Sequence, residues 1–154
     1  MDIVTQAILG ATLTQTVAKK THIRLATIVG LIAGVIADVD IFIRSESDPL
    51  LSLEFHRHFT HSVFFIPFGA GLVFLLFWPF LRNKLSAAYL FLYCFMGYLL
   101  SGFIDACTSY GTNLFWPLNS IRVSWHIISV VDPLFTLILI VAIITGYKNN
   151  SSVF

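Results

Sequence analysis

Charge is scarce in this 154-residue chain. Lys, Arg, Asp and Glu make up 11% of it, against about 25% in an average soluble domain. That scarcity excludes a disordered chain and an ordinary soluble enzyme. No basic stretch is present to track nucleic-acid phosphates, no acidic tail balances it, and the formal net charge is only +1. Cysteine is equally sparse: Cys94 and Cys107 both lie inside apolar segments. They read as small buried hydrophobes, not as a disulfide framework. Internal repeats of the kind many transporters carry are also missing. What fills the chain is apolar: 57% hydrophobic residues and 15% aromatic, with a mean hydropathy of +0.86. Such a chain is solvated by lipid. Its length suits a single all-α, multi-pass helical bundle, without room for a separate soluble domain.

Three runs reach the roughly 18 apolar residues of a membrane helix: Leu25–Ile43, Val63–Leu81 and Ala87–Ile104. A fourth, Ile127–Tyr147, is expected to carry Asp132-Pro133 one to two turns inside it. The N-terminal stretch Ile3–Ala18 is shorter and dotted with Thr and Gln; at about 1.5 Å per residue it covers roughly 24 Å. A cleaved signal peptide has positive charge before its apolar core, whereas here Asp2 precedes and Lys19-Lys20 follow. The expectation is about five membrane segments in one domain, 1–148, with a short polar cytoplasmic tail, 149–154.

With the 19–24 loop in the cytoplasm, Lys19, Lys20, Arg24, Arg82, Lys84 and Lys148 lie inside and Arg44, Arg57 and Arg122 outside, as the positive-inside rule favours. The acids Asp2, Asp38, Asp40, Glu46, Asp48, Glu54, Asp105 and Asp132 then gather on or near the outer side with His56, His58, His61 and His126, and only His22 is inside. This predicts a site at the outer ends of the helices, facing out of a bacterial cytoplasmic membrane.

Small residues form stripes that lead to the acids. Ala26, Gly30 and Gly34 step by four to Asp38; Gly97 and Ser101 step to Asp105; Asp2, Gln6, Gly10 and Thr14 keep the same interval. Residues four apart share a helix face, and small residues there let membrane helices approach closely. Packing alone explains most such stripes. It does not explain carboxylates at their ends, because an ionisable group at the bilayer centre costs roughly 2.5–3.5 kcal/mol and calls for a partner.

Asp38-Val39-Asp40 offers two hard oxygen donors to one cation. His56-Arg57-His58-Phe59-Thr60-His61-Ser62 places three histidines just ahead of an apolar span. Imidazole together with carboxylate suits Zn²⁺ first, then Mn²⁺ or Fe²⁺. Thr60 or Ser62 is placed to cap the helix that follows. The plainer alternative is a His/Arg cluster on lipid headgroups. Asp105 and Thr108 share a helix face. The chain then breaks at Ser109–Asn113, and Trp116 and Trp125 suit an interfacial aromatic belt. Arg122, Trp125 and His126 precede the last helix, where Asp132 is expected to be buried against an arginine or a metal.

Together these residues resemble a known family. Gln6 and Gly10, Asp38-x-Asp40, His56-Arg57-x-x-Thr60-His61-Ser62, Asp105-x-x-Thr108-x-Tyr110-Gly111-Thr112, Trp116-Pro117, Arg122-x-x-Trp125 and Asp132-Pro133 stand in the order and similar spacing of the YdjM-like family of bacterial inner-membrane, metal-dependent hydrolases. The resemblance runs from residue 2 to about residue 140. It implies a membrane-embedded hydrolase with a metal site. Ala37 stands where relatives usually have Pro, His58 where they usually have Gly, and Ser101 where many have His. The resemblance therefore favours His56 and His61 over His58 as ligands, and the Ser101 position argues against a two-metal site.

The expected mechanism is metal-assisted hydrolysis. Asp38, Asp40, His56, His61 and Asp105 are the candidate ligands. Arg57 and Arg122 would hold an anionic group such as phosphate, with Thr60 beside them. His58 or His126 would protonate the leaving group. Gln6, Thr108, Tyr110, Trp125 and Asp132 complete the site. The expected partners are membrane lipids, with a lipid or lipid-linked phosphate ester as substrate and no nucleic acid. Two other classes compete: a non-catalytic membrane interaction protein whose metal site is structural, and an ion transporter.

Overall fold

The computed structural model describes residues 1–42 and 56–151. Ile43, Arg44, Glu46, Asp48, Glu54 and residues 152–154 lie outside them. The helices are α1 (Ile3–Val17), α2 (Ile23–Ile36), α3 (Ile66–Leu81), α4 (Ala87–Leu99), α5 (Ser101–Ala106) and α6 (Pro133–Ser151). No strand occurs among the described residues, only two isolated pairings, Thr108 with Ile128 and Thr112 with Val123. Lys20–Phe42, Val63–Leu81 and Ala87–Ala106 are mainly helical stretches of 23, 19 and 20 residues, each long and apolar enough to cross a membrane. Ile3–Val17 and Pro133–Asn149 are apolar but shorter. Many large apolar side chains face outward, Leu72, Leu75, Phe80 and Leu137 among them. That is costly in water and natural in lipid.

Successive long helices run in opposite directions, so their ends segregate. Gln15 Nε2 donates to Thr27 Oγ1 at 2.9 Å, and the His22 ring lies 3.1 Å from the Tyr93 hydroxyl. These contacts gather the end of α1 with the starts of α2 and α4. Lys19 sits over the Tyr89 ring there, 4.3 Å from its centre. At the opposite end stand the start of α1, the end of α2, the start of α3 and all of α5.

The packing between these helices rests on missing side chains. A Cβ on Gly10 would stand 2.5 Å from the Gly30 carbonyl oxygen and 2.7 Å from that of Gly97. Three backbones, those of α1, α2 and α4, therefore meet at one crossing. A Cβ on Gly34 would collide with the Gln6 carbonyl, which is why Gln6 and Asp38 end up side by side. The rest of the core is mostly small or flat: Ala26, Val29, Ala33, Ala37, Ala70, Val73, Tyr93 and Tyr98. Close approach in a membrane bundle comes from dispersion contacts between such surfaces.

Three expected boundaries move. After Ile36, α2 tightens into a 3₁₀ turn, Ala37–Phe42. The third apolar run is interrupted at Leu100 (φ −94°, ψ 1°), and α5 restarts at Ser101. The last helix begins at Pro133, not near Ile127. The Asp132 side chain accepts from the Phe135 backbone N–H at 3.0 Å, and proline suits the first helical position, where no N–H is needed. Asp132 is therefore a half-buried helix cap. It is not a residue one to two turns inside the helix, and no arginine partner accompanies it among the described residues.

Candidate metal centre

The helix ends that meet at this pole bring the polar groups. Gln6 comes from the first turn of α1. Asp38 and Asp40 come from the 3₁₀ turn, where about three residues make one turn. Residues two apart then point about a third of a turn from each other, while Val39 between them points out. Asp38 and Asp40 are buried and Val39 is exposed. His61 ends a second 3₁₀ turn, Phe59–His61. Ser62 then caps the Val63–Phe65 turn, accepting from the Phe65 N–H at 3.2 Å. Asp105 lies in α5, whose Gly102 leaves room for the His61 backbone: a Cβ there would overlap the His61 carbonyl oxygen.

Asp38, His61 and Asp105 each present a ligand atom, all within 4.8 Å of one another, and all three are buried. His61 Nε2 stands 3.1 Å from Asp38 Oδ1 and 3.0 Å from Asp105 Oδ2. Neither approach satisfies hydrogen-bond geometry, and Asp38 Oδ2 and Gln6 Oε1 likewise find no hydrogen-bond partner. Buried polar atoms are rarely left so. One imidazole nitrogen converging with two carboxylates is a donor set that fits a divalent ion. Gln6 Nε2 links the two acids, donating to Asp105 Oδ2 at 3.0 Å and reaching Asp38 Oδ1 at 3.4 Å.

Asp40 faces the other edge of the same imidazole. Its Oδ2 lies 3.6 Å from His61 Nδ1 and accepts from Thr60 Oγ1 at 2.5 Å and from the Arg57 N–H at 2.7 Å. Its Oδ1 lies 3.1 Å from His56 Nδ1. Thr60 Oγ1 is also 2.9 Å from His61 Nδ1. Burial opposes a charge on His61, but the Asp38 and Asp40 carboxylates outweigh it and hold its pKa above the ordinary 6.5. Asp40 and His56 thus form an outer layer around His61 and do not join Asp38 and Asp105 at Nε2.

Arg57 approaches from a loop. Its backbone is left-handed, φ 61°, a region costly for a side-chain-bearing residue. Thr112 Oγ1 and the Asn113 N–H hold its carbonyl at 2.8 and 3.3 Å. The guanidinium is buried. Nε lies 3.2 Å from Asp105 Oδ2, and Nη2 donates to the Met1 carbonyl at 2.8 Å. Burial pulls its pKa below the ordinary arginine value. The Met1 amine itself pairs with Asp105 Oδ1. Tyr110 meets two guanidiniums, its ring centre 4.8 Å from Arg57 Cζ and 4.9 Å from Arg122 Cζ. Arg122 also donates to the His56 carbonyl at 3.2 Å.

Other expected site residues stand apart. His58 packs edge-on against Trp116, ring centres 5.7 Å apart. His126 is exposed beside Ser124, and Trp125 is exposed against Phe103. Thr108 is buried, but its hydroxyl donates to the Asp105 carbonyl at 2.8 Å, which closes the end of α5. Ser101 donates to the Tyr98 carbonyl at 2.9 Å. Three contributors escaped the sequence reading: the Met1 amine, Gly102, and Tyr98, whose hydroxyl donates to the Thr60 carbonyl at 2.8 Å. Gly102 could have been noticed as the small neighbour of Ser101 on the approach to Asp105. Nothing in the local sequence marks the other two.

An all-helical bundle with membrane-length apolar helices and a buried polar cluster at one pole defines a membrane protein. The chain belongs to the YdjM inner membrane protein family, whose model matches residues 1–154. No curated protein and no solved structure matches it.

Proposed function

We propose that this protein is a metal-dependent hydrolase embedded in the cytoplasmic membrane, acting at its outer face on a lipid or lipid-linked phosphate ester. The observation that carries the reading is the convergence of Asp38, His61 and Asp105 around His61 Nε2. These three would hold one divalent ion, with Zn²⁺ the best match and Mn²⁺ or Fe²⁺ close behind. When bound, such an ion supplies Lewis acidity and lowers the pKa of water to about 7. Asp40 and Thr60 orient the His61 ring from its far edge, the role outer partners of a metal-binding histidine usually play. Arg57 and Arg122, both close to the Tyr110 ring, would hold an anionic group.

A second reading has its own support. Asp105 is also met by Arg57, Gln6 and the Met1 amine, so the cluster could tie helix ends together without turning anything over. Purified protein, assayed for bound metal and for hydrolysis of phospholipids and polyprenyl phosphates with added Zn²⁺ or Mn²⁺, separates the two. On the hydrolase reading, His61→Ala loses the metal and at least ~100-fold in turnover. Chelation that lowers the melting temperature of a protein without turnover supports the structural reading. A metal-free wild type whose turnover survives His61→Ala ends the mechanism.

A further inference from the structure

Next to the candidate metal centre an apolar groove of about 160 Å³ opens between the 3₁₀ end of α2 and the start of α3. Val39 and Leu72 form its rim, 51% and 58% exposed. Phe65 and Ile36 line its walls, and Thr60 and Tyr98 close its inner end. The rim and side walls belong to helical stretches long and apolar enough to cross a membrane, so the mouth faces hydrocarbon when these stretches span one.

The inner end carries polar atoms, but they are engaged. The Tyr98 hydroxyl is bonded to the Thr60 carbonyl and Thr60 Oγ1 to Asp40. Asp40 in turn accepts from the Arg57 N–H and meets His56. An occupant thus finds little to hydrogen-bond and much to touch, which selects an apolar chain over a polar one. Gly69 lets the Tyr98 ring lie directly against α3 in the groove wall, since a Cβ there would lie 2.6 Å from Tyr98 Cε2. Thr60 also forms a common wall with the candidate metal centre, since its Oγ1 is 2.9 Å from His61 Nδ1.

We infer that this groove binds one acyl chain of a membrane phospholipid and thereby seats the lipid beside His61. The role in seating a substrate rests on the hydrolase reading; the occupancy does not. A bilayer's hydrocarbon consists chiefly of phospholipid acyl chains, so such a chain is the apolar occupant at hand where the groove opens between two membrane-length stretches.

The test uses the full chain in phospholipid nanodiscs doped with a phospholipid that carries a photoactivatable diazirine in one acyl chain. After illumination, adducts are mapped by mass spectrometry. Val39, Phe65 and Leu72 should be labelled several-fold more than Phe103 and Leu137, which are 50% and 56% exposed on other lipid-facing surfaces. Leu72→Trp should remove the excess at Val39 and Phe65 and leave Phe103 and Leu137 unchanged. Because Leu72 is exposed, that substitution leaves the core alone. Uniform labelling of all five positions overturns the inference, and so does displacement by polyprenyl phosphate but not by unlabelled phospholipid. Enriched labelling without any turnover upholds the groove and removes the hydrolase reading; uniform labelling with intact turnover does the reverse.

Discussion

Asp40 illustrates how much one side chain does here without touching the point where a metal would sit. It receives Thr60, the Arg57 N–H and the His56 ring, and it flanks His61 Nδ1. Asp40→Asn keeps the size but turns one acceptor into a donor that faces other donors. Zn²⁺ affinity should fall by about 10–100-fold, the usual effect of losing an outer partner of a metal-bound histidine. Calorimetric titration measures this, with circular dichroism to show that the helices persist. An unchanged affinity would assign Asp40 to loop anchoring alone. The Asp38-x-Asp40 spacing was legible in the sequence, but its division of labour was not. Two carboxylates two apart read as joint ligands until a 3₁₀ turn sends them to opposite edges of one imidazole.

At the scale of elements, the glycine crossing holds the cluster together. A side chain at Gly34 must push α1 off α2, because its neighbours are the backbone atoms of Gln6 and Ala7. Gly34→Leu should cost roughly 1–3 kcal/mol or more, as overpacking does, and should loosen the Gln6–Asp38 contact. Gly71→Leu is the control, since a Cβ there meets nothing within 4 Å. Thermal unfolding in detergent should show a lowered melting temperature for the first and little change for the second. The stripes leading to Asp38, Asp105 and Gln6 were readable because a spacing of four survives in any straight helix. The start of α6 was misread for a physical reason. Ile127-Ile128 and Val130-Val131 extend the apolar run and hide the stronger local signal, an Asp cap followed by proline.

Across the whole molecule, charge is sorted by pole. Lys19 and His22 meet Tyr89 and Tyr93 at one end, while Asp38, Asp40, His61 and Asp105 meet at the other. The proposed orientation puts the acidic pole outside. In a background of Cys94→Ala and Cys107→Ala, a Leu118→Cys protein in intact cells should react with a membrane-impermeant maleimide; Leu118 is 78% exposed. Lys84→Cys should react only after permeabilisation. The opposite pattern inverts the topology. The three membrane-length helices, and the gathering of acids and His61 at one pole, were readable from apolar length and from where charge falls. The loop that follows α5 was not, because its order depends on distant pairings such as Thr112 with Val123 and Arg57 with Thr112.

The cluster draws its members from four separate stretches, at Gln6, Asp38, His61 and Asp105. During synthesis, α2 and its 3₁₀ end emerge with two carboxylates whose partners Thr60, His61 and Asp105's helix have not yet been made. Such groups are costly in hydrocarbon, so early helices gain their full reason to stay inserted only when α5 arrives. The expected consequence is that a chain truncated before Asp105 is extracted from membranes by alkaline carbonate more readily than the full chain; equal extraction would show that the first helices are retained without the cluster.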